Sequence, residues 1–266
     1  MSAAAIIAVD VGNARTKLGL FDGEVADGLP EPRRTLQLAG ESPELPRIGS
    51  WLEAAGEPIS GGKPAWLIAS VNRPTASRLI DWLREHRPGD PVTLLAVGDL
   101  PLVVSLKRPD MVGVDRLLDA VAANRLREPG RPAVVVDVGT AITVDLISAD
   151  GAFLGGAIMP GIGMSARALH EFTDLLPQIA MAELSSPPPA LGAATVPAMR
   201  SGLFWGAVGA IRQLIEQLSG GGNPQVFLTG GAGPTVAEML GSSARYVPHL
   251  TLAGIAVSGG RRPGRA

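Results

Sequence analysis

The sequence predicts an α/β chain built from two related lobes, and three observations carry that reading. The tripeptide Asp-Val-Gly occurs at Asp10–Gly12 and again at Asp137–Gly139. Each time it ends an apolar, β-rich run and is followed by a second such run that carries the chain back. Strand-like and helix-like stretches then follow in nearly the same order in both halves, β-β-β-α-β-α-β and β-β-β-α-β-α. A carboxylate and a glycine at one hairpin turn are commonplace. The same pair at the same point of two halves points to one shared site, with a carboxylate and a Gly-rich turn offered by each lobe toward a cleft.

In the first lobe Ile6–Val9 is a strand ending on Asp10, Gly12-Asn13 turns, and Leu18–Phe21 returns. Asp22-Gly23 is a second turn, and Arg34–Leu38 a third strand. Pro43–Ala55 reads as a short helix with Ser42 as its N-cap and Gly56 as its stop. Gly61-Gly62 marks a loop before the buried strand Ala65–Val71. Pro74 suits the first turn of a helix over Thr75–His86, which places Leu79, Ile80 and Leu83 on one face. Pro88-Gly89 ends it, and Val92–Val97 is another strand. Pro109 and Gly113 then interrupt regular structure, and a helix runs from Val114 to Leu126. The junction is placed here, giving lobes of residues 1–111 and 112–266.

The second lobe opens with Val134–Val136, Asp137, the turn at Gly139 and the returning strand Ala141–Ile147. Ala152–Met159 continues as a third strand, and a helix covers Ala166–Phe172. Ser185–Pro189 is a proline loop. Thr195–Leu218 is one long helix or two, with Met199, Leu203, Val208, Ile211 and Leu214 on a broad apolar face. Its Gly202, Gly206 and Gly209 lower helix propensity but permit a neighbour to approach closely. Gly220–Gly222 stops it. Val226–Leu228 is a strand, Thr229-Gly230-Gly231 a turn, Pro234–Leu240 a helix and Arg245–Val247 a short strand. Leu252–Val257 closes the core of this lobe, and the Gly-, Arg- and Pro-rich tail Gly259–Ala266 is expected to be disordered.

Composition narrows the function. With 266 residues, 46% hydrophobic and 18% charged, the chain can bury a large core. A net charge of -2 gives no electrostatic reason to expect nucleic acid. The absence of cysteine excludes disulfides, Cys-zinc sites and thiol nucleophiles, and fits a reducing cytoplasm. The first residues lack the basic region of a signal peptide, and no apolar run approaches the ~18 residues of a membrane span. His86, His170 and His249 are scattered, and neither G-x-x-x-x-G-K-[ST], H-E-x-x-H nor G-x-S-x-G occurs. Gly161-x-Gly163-x-x-Ala166, with Glu183 beyond, superficially matches a dinucleotide fingerprint. One such match in a chain with 34 glycines is weak, and the expected parallel strand runs into Ser185–Pro189.

Phosphoryl transfer is the better reading. Backbone N–H groups at Gly12-Asn13 and Gly139-Thr140 can hold polyphosphate oxygens. Arg15 and Lys17 add positive charge, and Asp10 and Asp137 can hold the cations that screen phosphate. Asp115, in the first turn of its helix, is suited to accept the proton of an attacking hydroxyl, although a carboxylate there is also favoured by the helix dipole. Arg116 stands against that dipole and calls for an internal acid or an anionic ligand.

Six motifs in order, Asp10–Lys17, Gly113–Arg116, Asp137–Asp145, Gly155–Gly161, Thr195–Gly202 and Thr229–Gly231, resemble those of type III pantothenate kinase. The resemblance implies two ribonuclease H-like lobes around a central cleft, the actin-like ATPase fold. It also implies ATP-dependent phosphorylation of pantothenate at its terminal hydroxyl, the first step of coenzyme A synthesis. By the same carry-over, ATP binds at Asp10, Val11, Gly12 and Asn13, with Ala14, Arg15, Thr16 and Lys17. Asp10 also serves magnesium, and Thr140 also touches ATP. Pantothenate binds at Gly113, Val114, Asp115 and Arg116, with Asp115 as base and Arg116 on the carboxylate, and at Thr195. Asp137 holds a monovalent cation, potassium or ammonium. A homodimer is implied, with the small-residue helix from Thr195 as the candidate contact. The family usually has Ser or Thr where this chain has Ala14, and many members have a Tyr near Leu106. The alternatives are another small-molecule kinase of the same superfamily and a regulatory homologue without turnover.

Overall fold

The computed structural model describes residues 4–23, 28–40, 43–54, 62–180 and 186–259. These form two compact units, Met1–Leu126 with His249–Ala266, and Arg127–Pro248.

The first unit is built on five strands, β1 (Ile6–Val11), β2 (Arg15–Phe21), β3 (Arg34–Ala39), β4 (Ala65–Ser70) and β5 (Val92–Leu94). Their order is β3-β2-β1-β4-β5. The first three are antiparallel neighbours, and β4 and β5 join in parallel. Side chains alternate between faces along a strand. Ile7, Val9 and Val11 of β1 therefore share a core with Leu18, Leu38 and Ile68, under α1 (Pro46–Glu53) and α2 (Arg73–His86). Asp10 and Lys17 face the other way, opposite each other in register. Pro at the first turn of α1 sets its start three residues later than the sequence suggested, and Ser42 and Gly56 lie outside the described residues. In α2 the Asn72 side chain caps the first turn, accepting from Thr75 N at 3.2 Å. β5 is shorter than Val92–Val97, because Asp99 accepts from Ala96 N at 2.8 Å and draws Val97–Asp99 into a 3-10 turn. Helix α3 (Val114–Leu126) follows.

The second unit repeats the plan. β6 (Ala133–Val138), β7 (Ala141–Ile147), β8 (Phe153–Pro160), β9 (Gln225–Thr229) and β10 (Ala244–Tyr246) form a sheet ordered β10-β9-β6-β7-β8. Again the first three strands are antiparallel and the last two join in parallel. Val134, Val136, Val138, Ile142 and Val144 pack with α4 (Ile162–Glu171), α5 (Thr195–Ser219) and α6 (Gly233–Leu240). Despite its glycines α5 is one helix of 25 residues, ended by Gly220 in the left-handed region. β8 pairs antiparallel with β7, so Gly161–Ala166 does not follow a parallel strand. That removes the dinucleotide reading; Glu183 lies outside the described residues.

The division of the chain differs from the expected 1–111 and 112–266. Helix α3 belongs to the first unit, and so does α7 (Leu250–Gly259), expected in the core of the second. The reason is packing. α7 is apolar on every side, with Leu250 to Ser258 all buried, and it lies against α3, β1, β2 and β4. A Cβ at Gly254 would overlap the Leu118 carbonyl oxygen, so only glycine lets α7 and α3 approach this closely. The tail beyond Gly259 lies outside the described residues.

Candidate active site

In the first unit the sequence-predicted residues gather where β1 and β4 end. Lys17 Nζ stands 3.8 Å from Asp10 Oδ2, and Asp10 is 8% exposed. The turn between β1 and β2 is closed by Gly12 N donating to Arg15 O at 3.0 Å. The Gly12 amide, expected to face phosphate, is therefore spent inside the turn. Among the described residues nothing accepts from the amides of Asn13 and Ala14, and both residues are exposed. Arg15 is exposed beside them. Thr16 is the exception: it is 1% exposed, alternates onto the core-facing side, and its Oγ1 has no hydrogen-bond partner. Its hydroxyl is turned away from any ligand at the turn.

Gly113–Arg116 comes to the same end of the sheet. Val71 N donates to Val11 O at 3.1 Å, which fixes the segment after β4 beside the end of β1. A Cβ at Gly113 would meet Val71 Cγ1 at 3.6 Å and Asp115 Oδ1 at 2.5 Å. Asp115 Oδ1 accepts from the Arg116 amide at 2.9 Å, so the first turn of α3 fixes one carboxylate oxygen. Asp115 and Arg116 are both half-buried, and Val114 is buried.

In the second unit Asp137 and the Thr229–Gly231 turn meet, and Thr140 lies in the hairpin turn that follows Asp137. Asp137 pairs with Thr143 across the hairpin and with Thr229 on the parallel side. Gly139 N is spent on Ala141 O at 3.1 Å, while Thr140 is exposed and its carbonyl accepts from Gly161 N at 3.0 Å. Gly230 has φ +90°, and a Cβ there would fall on Asp137 Oδ1 and within 2.6 Å of the Val138 carbonyl oxygen. Asp137 Oδ1 and the Val138 carbonyl thus crowd the place a side chain would take, and only glycine lets the two turns approach this closely. The sequence marks Thr229-Gly230-Gly231 as a turn; its close approach to Asp137 depends on φ and is not visible in residue types. Thr195, the first residue of α5, is exposed and hydrogen-bonds to none of these groups. Among the described residues no group of three or more His, Cys, Asp or Glu side chains is placed to hold a metal ion.

Residues 6–217 match the family described as type III pantothenate kinase. The chain belongs to the type III pantothenate kinase family. A type III pantothenate kinase of Paramagnetospirillum magneticum is 37% identical over 257 residues, covering 94% of this chain and 95% of the relative. One of Rhodospirillum rubrum is 35% identical over 263 residues, covering 95% and 96%. Among solved structures, a conserved Campylobacter jejuni protein described as a Baf family transcriptional activator superposes with TM-score 0.58 at 20% identity, covering 95% and 96%. The ADPNP-bound activator of 2-hydroxyisocaproyl-CoA dehydratase from Clostridium difficile gives 0.55 at 10% identity, covering 96% and 94%. Both likenesses concern the fold alone. The type III pantothenate kinase reaction is ATP-dependent phosphorylation of pantothenate in coenzyme A biosynthesis, run with a divalent metal. No helix among the described residues is long and apolar enough to cross a membrane.

Proposed function

We propose that the residues gathered at the ends of β1 and β4 carry this phosphoryl transfer. The observation behind the proposal is the approach of the Asp115 turn to the segment hydrogen-bonded to β1, which brings a carboxylate base and the Asp10–Lys17 pair to one sheet end. Lys17 and the amides of Asn13 and Ala14 hold ATP phosphate oxygens. Asp10 faces the magnesium that arrives with ATP; the ion supplies charge neutralisation on the phosphates when bound. Arg116 pairs with the pantothenate carboxylate, and Asp115 takes the proton of its terminal hydroxyl as that oxygen attacks the γ-phosphorus. Thr140 touches ATP and Thr195 pantothenate.

Asp137 suits potassium or ammonium better than a divalent ion, because its neighbour at the Gly230 turn is a neutral carbonyl, that of Val138, and not a second carboxylate. The chain acts in the cytoplasm as a homodimer. Support for the dimer is α5, whose Ala198, Gly202, Gly206 and Gly209 are exposed in one stripe. Leu191, 86% exposed, lies beside its first turn, where Gly192 abuts Ala198.

The deciding experiment is ADP release from ATP and magnesium, with and without pantothenate, in potassium and then in sodium buffer. Pantothenate-dependent release that needs potassium is expected. Asp115→Asn is expected to retain ATP binding and lose roughly 10²–10⁴-fold in turnover, the usual worth of a positioned base. Release indifferent to pantothenate would overturn the substrate, and near-full turnover of the variant would overturn the base.

A further inference from the structure

Asp119 is a carboxylate that the proposed reaction does not use. It is 2% exposed and lies one helical turn after Asp115, on the same side of α3. Thr251 Oγ1, in the first turn of α7, donates to Asp119 Oδ1 at 2.7 Å across 132 residues of sequence. Thr251 is itself 6% exposed. A buried carboxylate is costly and is retained only with strong partners, so this bond holds a defined geometry.

The same turn of α7 also touches the strands that carry the phosphate-binding pair. Leu252 Cδ1 reaches to 3.3 Å of where a Cβ would stand on Gly19, two residues from Lys17 and on the same face of β2. α7 packs on β1 as well, whose Asp10 points to that face. Three residues after Thr251, Gly254 meets the Leu118 carbonyl, next to Asp119. The turn Thr251–Gly254 is thus wedged between α3, which carries Asp115, and the β1–β2 hairpin, which carries Asp10 and Lys17.

We infer that Asp119 is a positioning residue: through Thr251 it sets the height of the Asp115 turn relative to the hairpin that binds phosphate. The inference rests on the proposed roles of Asp115, Asp10 and Lys17. A misplacement of about 1 Å in a reacting group costs on the order of 10²-fold in rate, so a bond of this kind acts on turnover rather than on affinity.

The test uses Thr251→Val, which keeps the shape and removes the hydroxyl, with Thr251→Ser, Asp119→Ala and the double variant. Thr251→Val and Asp119→Ala are expected to lower kcat by about 10–10²-fold, with the Michaelis constants for ATP and pantothenate changed less than about threefold. Thr251→Ser is expected to restore kcat, and the double variant to lose no more than the worse single one. In an Asp115→Asn background neither substitution should lower the residual rate further, since the effect runs through Asp115. If the variants melt earlier but keep wild-type kcat well below their melting temperatures, the bond only stabilises the helix pair and the inference falls. Should Asp119→Ala fail to fold, Thr251→Val and its Ser counterpart decide the matter alone. A failure of the base assignment is separate: it appears as turnover retained by Asp115→Asn itself.

Discussion

Gly230 occupies the place where a side chain would collide with Asp137. Its φ of +90° turns the chain so that a Cβ would fall on Asp137 Oδ1 and press on the Val138 carbonyl. Gly230→Ala therefore does two things: it strains the backbone by about 1–3 kcal/mol and displaces a carboxylate. The apparent affinity for potassium is expected to fall by about 10–100-fold, as when a group supporting a metal ligand is lost. Turnover as a function of potassium concentration checks this, together with the rise in melting temperature that potassium gives over sodium. An unchanged potassium dependence would remove Asp137 as the cation site.

Arg116 sits early in α3, where the helix dipole disfavours a cation. Its expected role is a charge-assisted bond to the substrate carboxylate. Arg116→Ala should raise the Michaelis constant for pantothenate about 10–100-fold, the worth of one such bond, and that for ATP less than about threefold. Steady-state kinetics with each substrate varied in turn separates the two. Equal effects on both would sink the assignment.

Thr16 makes a prediction in the opposite direction. Its hydroxyl is buried against the core with no partner, so it contributes desolvation cost and no bond. Thr16→Val is expected to leave ATP kinetics unchanged and to raise stability by up to about 1 kcal/mol. Denaturant unfolding measures the gain. A loss of ATP affinity would return Thr16 to the binding site.

Burial first, and the nearby Lys17 charge second, hold the His249 imidazole below its ordinary value. The folded state thus prefers the neutral ring, and the unfolded chain binds more protons between the folded and unfolded values. Stability contributed here is present above about pH 6.5 and is lost as pH falls toward the lowered value. His249 also has φ 57°, a conformation that Asn tolerates. His249→Asn should therefore lose less melting temperature than the wild type between about pH 7.5 and about pH 5.5. An identical loss in both proteins would mean that His249 does not titrate across folding.

The sequence made the hairpins legible because their signals are local. Asp10 and Asp137 end β-branched runs, glycine follows, and the two repeats confirm each other. Helix α3 was legible at both ends, bounded by Gly113 before it and by Pro129 three residues after Leu126. The ownership of α7 was not, since Leu250–Gly259 is apolar all round and periodicity gives it no preferred face. The state of the Gly12 and Gly139 amides was equally hidden. Residue types announce a tight turn, but only the geometry tells which N–H the turn consumes. The Asp119–Thr251 bond joins positions 132 residues apart, and no local pattern marks it.

The return of α7 to the first unit has a consequence for how the chain is made. Residues 1–126 are made before α7, yet the surface of β1 and β2 that α7 covers stays open until residues 250–259 have been synthesised. During that interval α3, with Asp115, lacks the helix that wedges it against the β1–β2 hairpin, and apolar strand surface stands open to other chains. The second unit, contiguous in sequence, can complete itself earlier. The first unit is thus complete only once α7 has been made, and a nascent chain stalled before residue 250 would leave the strand surface that α7 covers exposed.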